Sequence, residues 1–161
     1  MLIGLSDLPE VRKKHVGQNI VLAGGAFDIL HQGHIAFLRD SKALGDILVV
    51  AIKTDAEVRS YKDLDRPVQN EDVRAAIADA IRYVDYTVIA PSPSPDFGPE
   101  SEPPRLEIAR ALRPDIFVTY NTAWEAHRKT LESLGIQLKI VSIDKVNSTT
   151  SIIERIRNLR A

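Results

Sequence analysis

Two short stretches of the chain concentrate residue types that can do chemistry on phosphate. The first is Gly24-Gly25-Ala26-Phe27-Asp28-Ile29-Leu30-His31-Gln32-Gly33-His34, which holds two of the four histidines in the 161-residue sequence. Its glycines let the backbone turn tightly and approach a ligand closely. His31 and His34 flank Gly33 where an amphipathic stretch begins. That placement predicts a helix N-terminus, where free N–H groups and positive potential favour phosphate. Imidazoles there add N–H donors aimed at phosphoryl oxygens. The same pair also suits helix capping or packing. A zinc site is a further reading, but with no cysteine it would have to recruit Asp28, His127 or other carboxylates. The glycines do not fall as G-x-G-x-x-G, and G-x-x-x-x-G-K-[ST] is absent, which argues against a dinucleotide site and a P-loop.

The second stretch is Asn147-Ser148-Thr149-Thr150-Ser151-Ile152-Ile153-Glu154-Arg155-Ile156. Four consecutive hydroxyls precede an apolar helical stripe. Ser151 with Glu154 fits an S-x-x-E capping box. One cap needs one hydroxyl, so the surplus hydroxyls and the bare N–H groups of the first turn make a second anion site.

These segments need elements to hold them. Short apolar runs at 19–24, 46–52, 84–90, 115–119 and 136–143 read as buried parallel strands. Helical periodicity runs from Ile35 to Leu44 with Gly45 as the C-cap, over Val73–Ile81, over Trp124–Leu134 with Gly135 following, and over Ile152–Leu159. The alternation predicts an α/β fold, a single Rossmann-like doubly wound domain over 1–161 with about five parallel strands. Ligands of such sheets bind beyond the carboxyl ends of the strands. Pro91–Arg105 carries six of the nine prolines and no apolar period, so it is expected to be a loop, whether a plain connection, a lid or a partner-contacting arm.

Composition bounds the partners. Lys and Arg number 21 and Asp and Glu 22, for a formal net charge of -1, which excludes coating nucleic acid through bulk charge. The absence of cysteine excludes disulfides and thiolate nucleophiles. No run approaches the ~18 apolar residues of a membrane span, and the first 20 residues have no signal-peptide core. The expectation is a cytoplasmic chain with no membrane partner.

Together the motifs resemble the nucleotidyltransferase superfamily of the cytidylyltransferase type. Its signature pairs H-x-G-H after the first strand with a hydroxyl-rich S-T-T opening the last helix. Gly25–His34 matches the family's G-x-F-D-x-x-H-x-G-H form throughout. Lys53-Thr54-Asp55, Lys62, Arg66-Pro67-Val68, Arg74 and Ile81-Arg82-Tyr83-Val84-Asp85 extend the match over roughly residues 20–157. The resemblance implies transfer of a nucleoside monophosphate from ATP or CTP to a phosphorylated acceptor, with release of pyrophosphate. It implies catalytic roles for His31, His34 and Lys62. It places the nucleotide on Gly25, Ala26, Phe27, His31, Gly33, His34, Arg74, Asn121, Ser148, Thr149 and Thr150. Asp28, Lys62 and Trp124 are the implied acceptor residues, while Trp124 also reads as simple helix packing and Lys62, in Lys62-Asp63-Leu64-Asp65-Arg66, as part of a solvated charge run. Magnesium, Mg2+, is the implied cofactor, carried by the phosphates with Asp28 as the candidate protein ligand, and a homodimer is the implied assembly.

Subfamily features are mixed. Arg66-Pro67-Val68 and the Asn147–Ile153 run look closer to heptose-phosphate adenylyltransferases, which favours ATP and a sugar- or polyol-phosphate acceptor, although Thr119-Tyr120-Asn121-Thr122-Ala123 stands where that branch has a G-G-D-Y type sequence. Trp124-Glu125 is similar to the D-D-W-E-G of glycerol-3-phosphate cytidylyltransferases, whereas Asp144-Lys145-Val146-Asn147 stands where that branch has R-T-E-G-I. A phosphoethanolamine-type cytidylyltransferase, an FMN adenylyltransferase and a catalytically silent nucleotide-binding module are the other readings.

Overall fold

A computed structural model of the chain describes residues 1–62, 65–93, 102–142 and 148–159. Six short strands lie in one sheet: β1 Leu2–Ile3, β2 Ile20–Gly25, β3 Ile47–Ile52, β4 Tyr86–Ile89, β5 Ile116–Thr119 and β6 Gln137–Ile140. Their order is β1-β4-β3-β2-β5-β6, and every pairing is parallel. The sixth strand, β1, is two residues at the edge and too short to carry a sequence period, which is why about five were expected.

Both faces of the sheet are covered, and alternate residues of β2 and β3 show it. Val21, Ala23, Leu48, Val50 and Ile52 pack with α2 (Gln32–Lys42) and α4 (Glu71–Asp79). Ile20, Leu22, Val49 and Ala51 pack with α1 (Leu8–Lys14) and α5 (Pro104–Leu112) on the other side. Burial on two faces explains why these strands are apolar throughout rather than alternating. The remaining helices are α3 (Asp55–Arg59), α6 (Arg128–Ser133) and α7 (Thr149–Asn158), with 3-10 turns at Leu5–Asp7 and Thr122–His127.

Several local expectations change. Arg105 does not end a loop: Pro104 and Arg105 open α5, with proline in the first turn where its missing donor costs nothing. Most of the proline-rich stretch, 94–101, lies outside the described residues, as does 143–147 with Asn147. Gly45 is not a left-handed cap. A side chain there would stand 2.7 Å from the Asn19 carbonyl, so close chain packing requires glycine. Gly135, with φ +76°, does close α6 in the left-handed conformation. The capping box of α7 is one turn earlier than expected: Ser148 caps the helix and Ser151 reciprocates.

Candidate active site

The order of strands reverses between β2 and β5, and the loops leaving those two strands open a crevice there. A cavity of about 480 Å³ occupies it. Gly25, Ala26, Phe27, Asp28, His31, Gly33 and His34 from the β2 loop line it, together with Lys62, Asn121, Ser148, Thr149 and Thr150. The two motifs, more than a hundred residues apart in sequence, therefore meet at one site.

The β2 loop is held in an unusual backbone shape. Phe27 and Ile29 have φ of 51° and 49°, a left-handed region that costs non-glycine residues energy and persists only when neighbours fix it. Phe27 is buried against Phe37 and His34. Arg74, 0% exposed, donates to the Ala26 carbonyl at 2.6 Å, the Gln69 carbonyl at 2.9 Å and Asp55 Oδ1 at 2.6 Å. The Thr149 hydroxyl donates to the Asp28 carbonyl. The loop is thus pinned from α4 and from α7.

His31 is the N-cap of α2. Its Nδ1 accepts the Gly33 N–H at 3.1 Å, which leaves Nε2 to carry the proton as a donor. His34 stacks on it, with ring centroids 3.8 Å apart and planes 24° apart. Burial lowers the pKa of His31. Burial, then the charge of His31, lowers that of His34 to about 4, with Asp28 opposing. Both rings are therefore neutral donors at pH 7. His34 Nδ1 has no hydrogen-bond partner among the described residues.

At α7, Ser148 Oγ accepts the Ser151 N–H and Thr149 is tied to the β2 loop, so capping uses more of the hydroxyls than the sequence suggests. Among the described residues the Thr150 hydroxyl and the first two N–H groups of the helix remain for an anion. Asn121 lines the cavity while its side chain caps the 3-10 turn through the Ala123 N–H.

Two sequence-implied site residues lie outside the cavity lining, and a third is already engaged by other groups. Arg74 does not face the cavity; its guanidinium is spent on the loop and on Asp55. Trp124 is 2% exposed and packs on Phe117 with centroids 4.2 Å apart, so it belongs to the core beneath the site. Asp28 does line the cavity, but Arg66 Nε and Nη2 (2.9 and 2.8 Å) and the N–H groups of Val68 and Gln69 occupy both carboxylate oxygens. It is the one carboxylate among the described lining residues, and no cluster of three metal-ligating side chains occurs among the described residues. These residues do not fit a protein-held magnesium ion.

Sequence reasoning missed Lys53, Tyr61, Tyr120 and Arg105, all of which line the cavity. Lys53 pairs with Glu57 at 2.8 Å and lies over the Tyr61 ring at 4.3 Å. Arg105 is 3% exposed and lies over the Trp124 ring at 5.0 Å. Lys53 and Arg105 are both pulled below their ordinary pKa values, chiefly by burial. Desolvation, then Glu57 and Tyr120, pushes the Tyr61 phenol up to about 12. The signal for Arg105 is present in the sequence: Leu106, Ile108, Ala109 and Leu112 after paired prolines.

Residues 22–158 match the family model described as cytidylyltransferase-like. The chain belongs to the cytidylyltransferase-like family. By that membership it is a nucleotidyltransferase domain. It is 35% identical over 155 residues to the bifunctional protein HldE of Syntrophotalea carbinolica, covering 94% of this chain and 29% of that protein. With the bifunctional protein HldE of Helicobacter pylori it shares 34% over 157 residues, or 97% of this chain and 31% of the relative. The chain thus spans less than a third of the length of these curated relatives. Among solved structures, the lipopolysaccharide core biosynthesis protein from Thermoplasma volcanium aligns with a TM-score of 0.63 at 33% identity, covering 81% of this chain and all of that one. A pantoate–β-alanine ligase from Francisella tularensis, at 12% identity and TM-score 0.56, shares the fold alone. No helix among the described residues is long and apolar enough to cross a membrane.

Proposed function

We propose that this domain transfers the adenylyl group of ATP to the phosphate of a sugar phosphate, of the heptose-phosphate kind, releasing pyrophosphate. The observation that carries the reading is the stacked His31–His34 pair at the start of α2, facing one cavity with the hydroxyl-bearing N-terminus of α7. The likeness to HldE proteins and to a lipopolysaccharide core biosynthesis protein supports a sugar-derived acceptor. The Arg66-Pro67-Val68 and Asn147–Ile153 stretches support ATP over CTP.

In this reading an acceptor phosphate oxygen attacks the α-phosphorus in line, and the bond to the β-phosphate oxygen breaks as pyrophosphate leaves. Such transfer needs positioning and charge stabilisation rather than a covalent enzyme intermediate. His31 Nε2–H and the His34 ring, neutral at pH 7, donate to α-phosphate oxygens as charge grows on them, without having to gain a proton. The α7 N-terminus with Thr150 holds the leaving pyrophosphate, and Lys62 neutralises the incoming acceptor. Magnesium enters with the nucleotide rather than on a carboxylate of the protein. A cytoplasmic location matches the supply of ATP, and the exposed Ile156 on α7 and Leu159 at its C-cap suit a homodimer.

The test is pyrophosphate release with ATP or CTP against a panel of phosphorylated sugars and polyols. His34→Ala should lower kcat by about 10²–10³, as removing one preorganised donor does. Near-normal turnover in a variant of unchanged melting temperature overturns the assignment. Turnover with CTP and glycerol phosphate alone overturns the ATP and sugar-phosphate parts.

A further inference from the structure

One wall of the cavity carries more buried positive charge than nucleotide binding at α2 and α7 uses. Gly24 and Lys53 continue the alternation of Leu22 and Ala51, which places them on the α5 side of the sheet, away from α2. Arg105 enters there from the first turn of α5. A side chain on Gly24 would stand 2.6 Å from Arg105 Cδ and 3.0 Å from its Nη1, so glycine is what lets this arginine lie across the end of β2. Trp124 supports the guanidinium from below.

Among the described residues the local charges do not balance. Glu57 is the carboxylate paired with Lys53, and among the described residues no carboxylate forms an ion pair with Arg105. Arg105 Nε and Glu57 Oε2 are both buried, and both lack hydrogen-bond partners among the described residues. An arginine serving only the fold would be expected to close that gap, because unpaired buried charge is costly. Among the described residues, buried Arg105 and half-buried Lys53 share one carboxylate, which leaves a net positive charge at the cavity wall, with Lys62 adding another on the same rim. Arginine supplies a planar fork that matches phosphate oxygens two at a time.

We propose that Arg105, flanked by Lys53, is the seat of the acceptor's phosphate and the residue that selects acceptors carrying one. This rests on the adenylyl-transfer reading above. An in-line attack brings the acceptor in opposite the leaving pyrophosphate. The α7 N-terminus that holds the pyrophosphate is tied through Thr149 to the β2 loop, which leads into α2, whereas Arg105 comes from α5 and Lys53, at the end of β3, takes the α5 side of the sheet. Compensation by this pair lets the anionic acceptor approach an anionic nucleotide.

The sole tryptophan of the chain, Trp124, lies directly under Arg105 and gives a readout independent of turnover. Inorganic phosphate is titrated against intrinsic fluorescence, with and without a saturating non-hydrolysable ATP analogue, for the native chain and for R105Q and R105K. Acceptor and ATP KM values are measured for the same three proteins. The expected result is a saturable phosphate-dependent change that R105Q abolishes and R105K partly retains. Acceptor KM should rise at least tenfold in R105Q while ATP KM changes less than twofold. Melting curves exclude misfolding, and R105K, which keeps the charge, serves if R105Q does not fold. Undiminished phosphate binding in R105Q, or a rise confined to the ATP KM, overturns the proposal while leaving adenylyl transfer standing. Arginine-dependent phosphate binding in a protein that transfers no nucleotide to any acceptor refutes the transfer reading and keeps the anion seat.

Discussion

Replacing His34 by glutamine should make the protein less sensitive to acid while it removes activity, and the size of the effect follows from the structure. In the folded chain burial and the adjacent His31 hold the His34 pKa at about 4, against the ordinary 6.5 that applies once the chain unfolds. Below pH 6.5 the unfolded state therefore takes up a proton that the folded state refuses, so stability falls as pH falls. Between pH 7.5 and 4.5 this single group withdraws about 2.5 kcal/mol, at about 1.36 kcal/mol per unit of pKa difference. His34→Gln carries no such group. Urea unfolding of both proteins at the two pH values gives four free energies. The difference between variant and native should move by about 2.5 kcal/mol in the variant's favour on going to pH 4.5. A difference that stays the same at both pH values refutes the buried, neutral His34 on which its donor role depends. At pH 7.5 the same variant should lose about 10²–10³ in kcat.

Three further outcomes are expected. Arg74→Ala should lower stability by about 3 kcal/mol, since it leaves Asp55 only its longer ion pair with Arg59 and releases the Ala26 carbonyl; thermal melting measures this. Gly24→Ala should cost about 1–3 kcal/mol by overpacking against Arg105, and acceptor KM should rise more than ATP KM. Ser148→Ala should leave the global melting temperature nearly unchanged. Losing the cap weakens α7 locally by about 1 kcal/mol, which hydrogen exchange in residues 149–153 and a raised ATP KM report.

What the sequence reveals of this site depends on whether a residue's task is local. His31, Gly33 and His34 are legible because their spacing places them in one helical turn, and helix starts bind anions wherever they occur. The hydroxyl run before Ile152 is legible for the same reason, although its use in capping falls one turn earlier than the S-x-x-E pattern indicates. The site roles of Lys53, which the sequence offers only within the Lys53-Thr54-Asp55 match, and of Arg105, whose one signal is the apolar period after the paired prolines, are much harder to read. Their importance comes from which sheet face each side chain takes, and for Arg105 from a helix hidden behind a run of prolines. Trp124 and Arg74 look like ligand residues by type, yet Phe117 and Asp55, distant or on another element, claim them. The edge strand Leu2–Ile3 is defined only by its partner Thr87–Val88. The central strands needed no partner to be recognised, because burial on both sides writes itself into composition.

The last helix contributes no buried residue, and Thr149 ties it to the loop that carries the histidines. The hydrophobic core is therefore complete without it, whereas the proposed phosphate site is not. Folding and ligand capture are separable here. Substitutions along the helix can retune or silence nucleotide binding without an accompanying loss of stability. Evolution could thus convert such a domain from catalyst to sensor by editing about ten residues that the rest of the chain does not depend on.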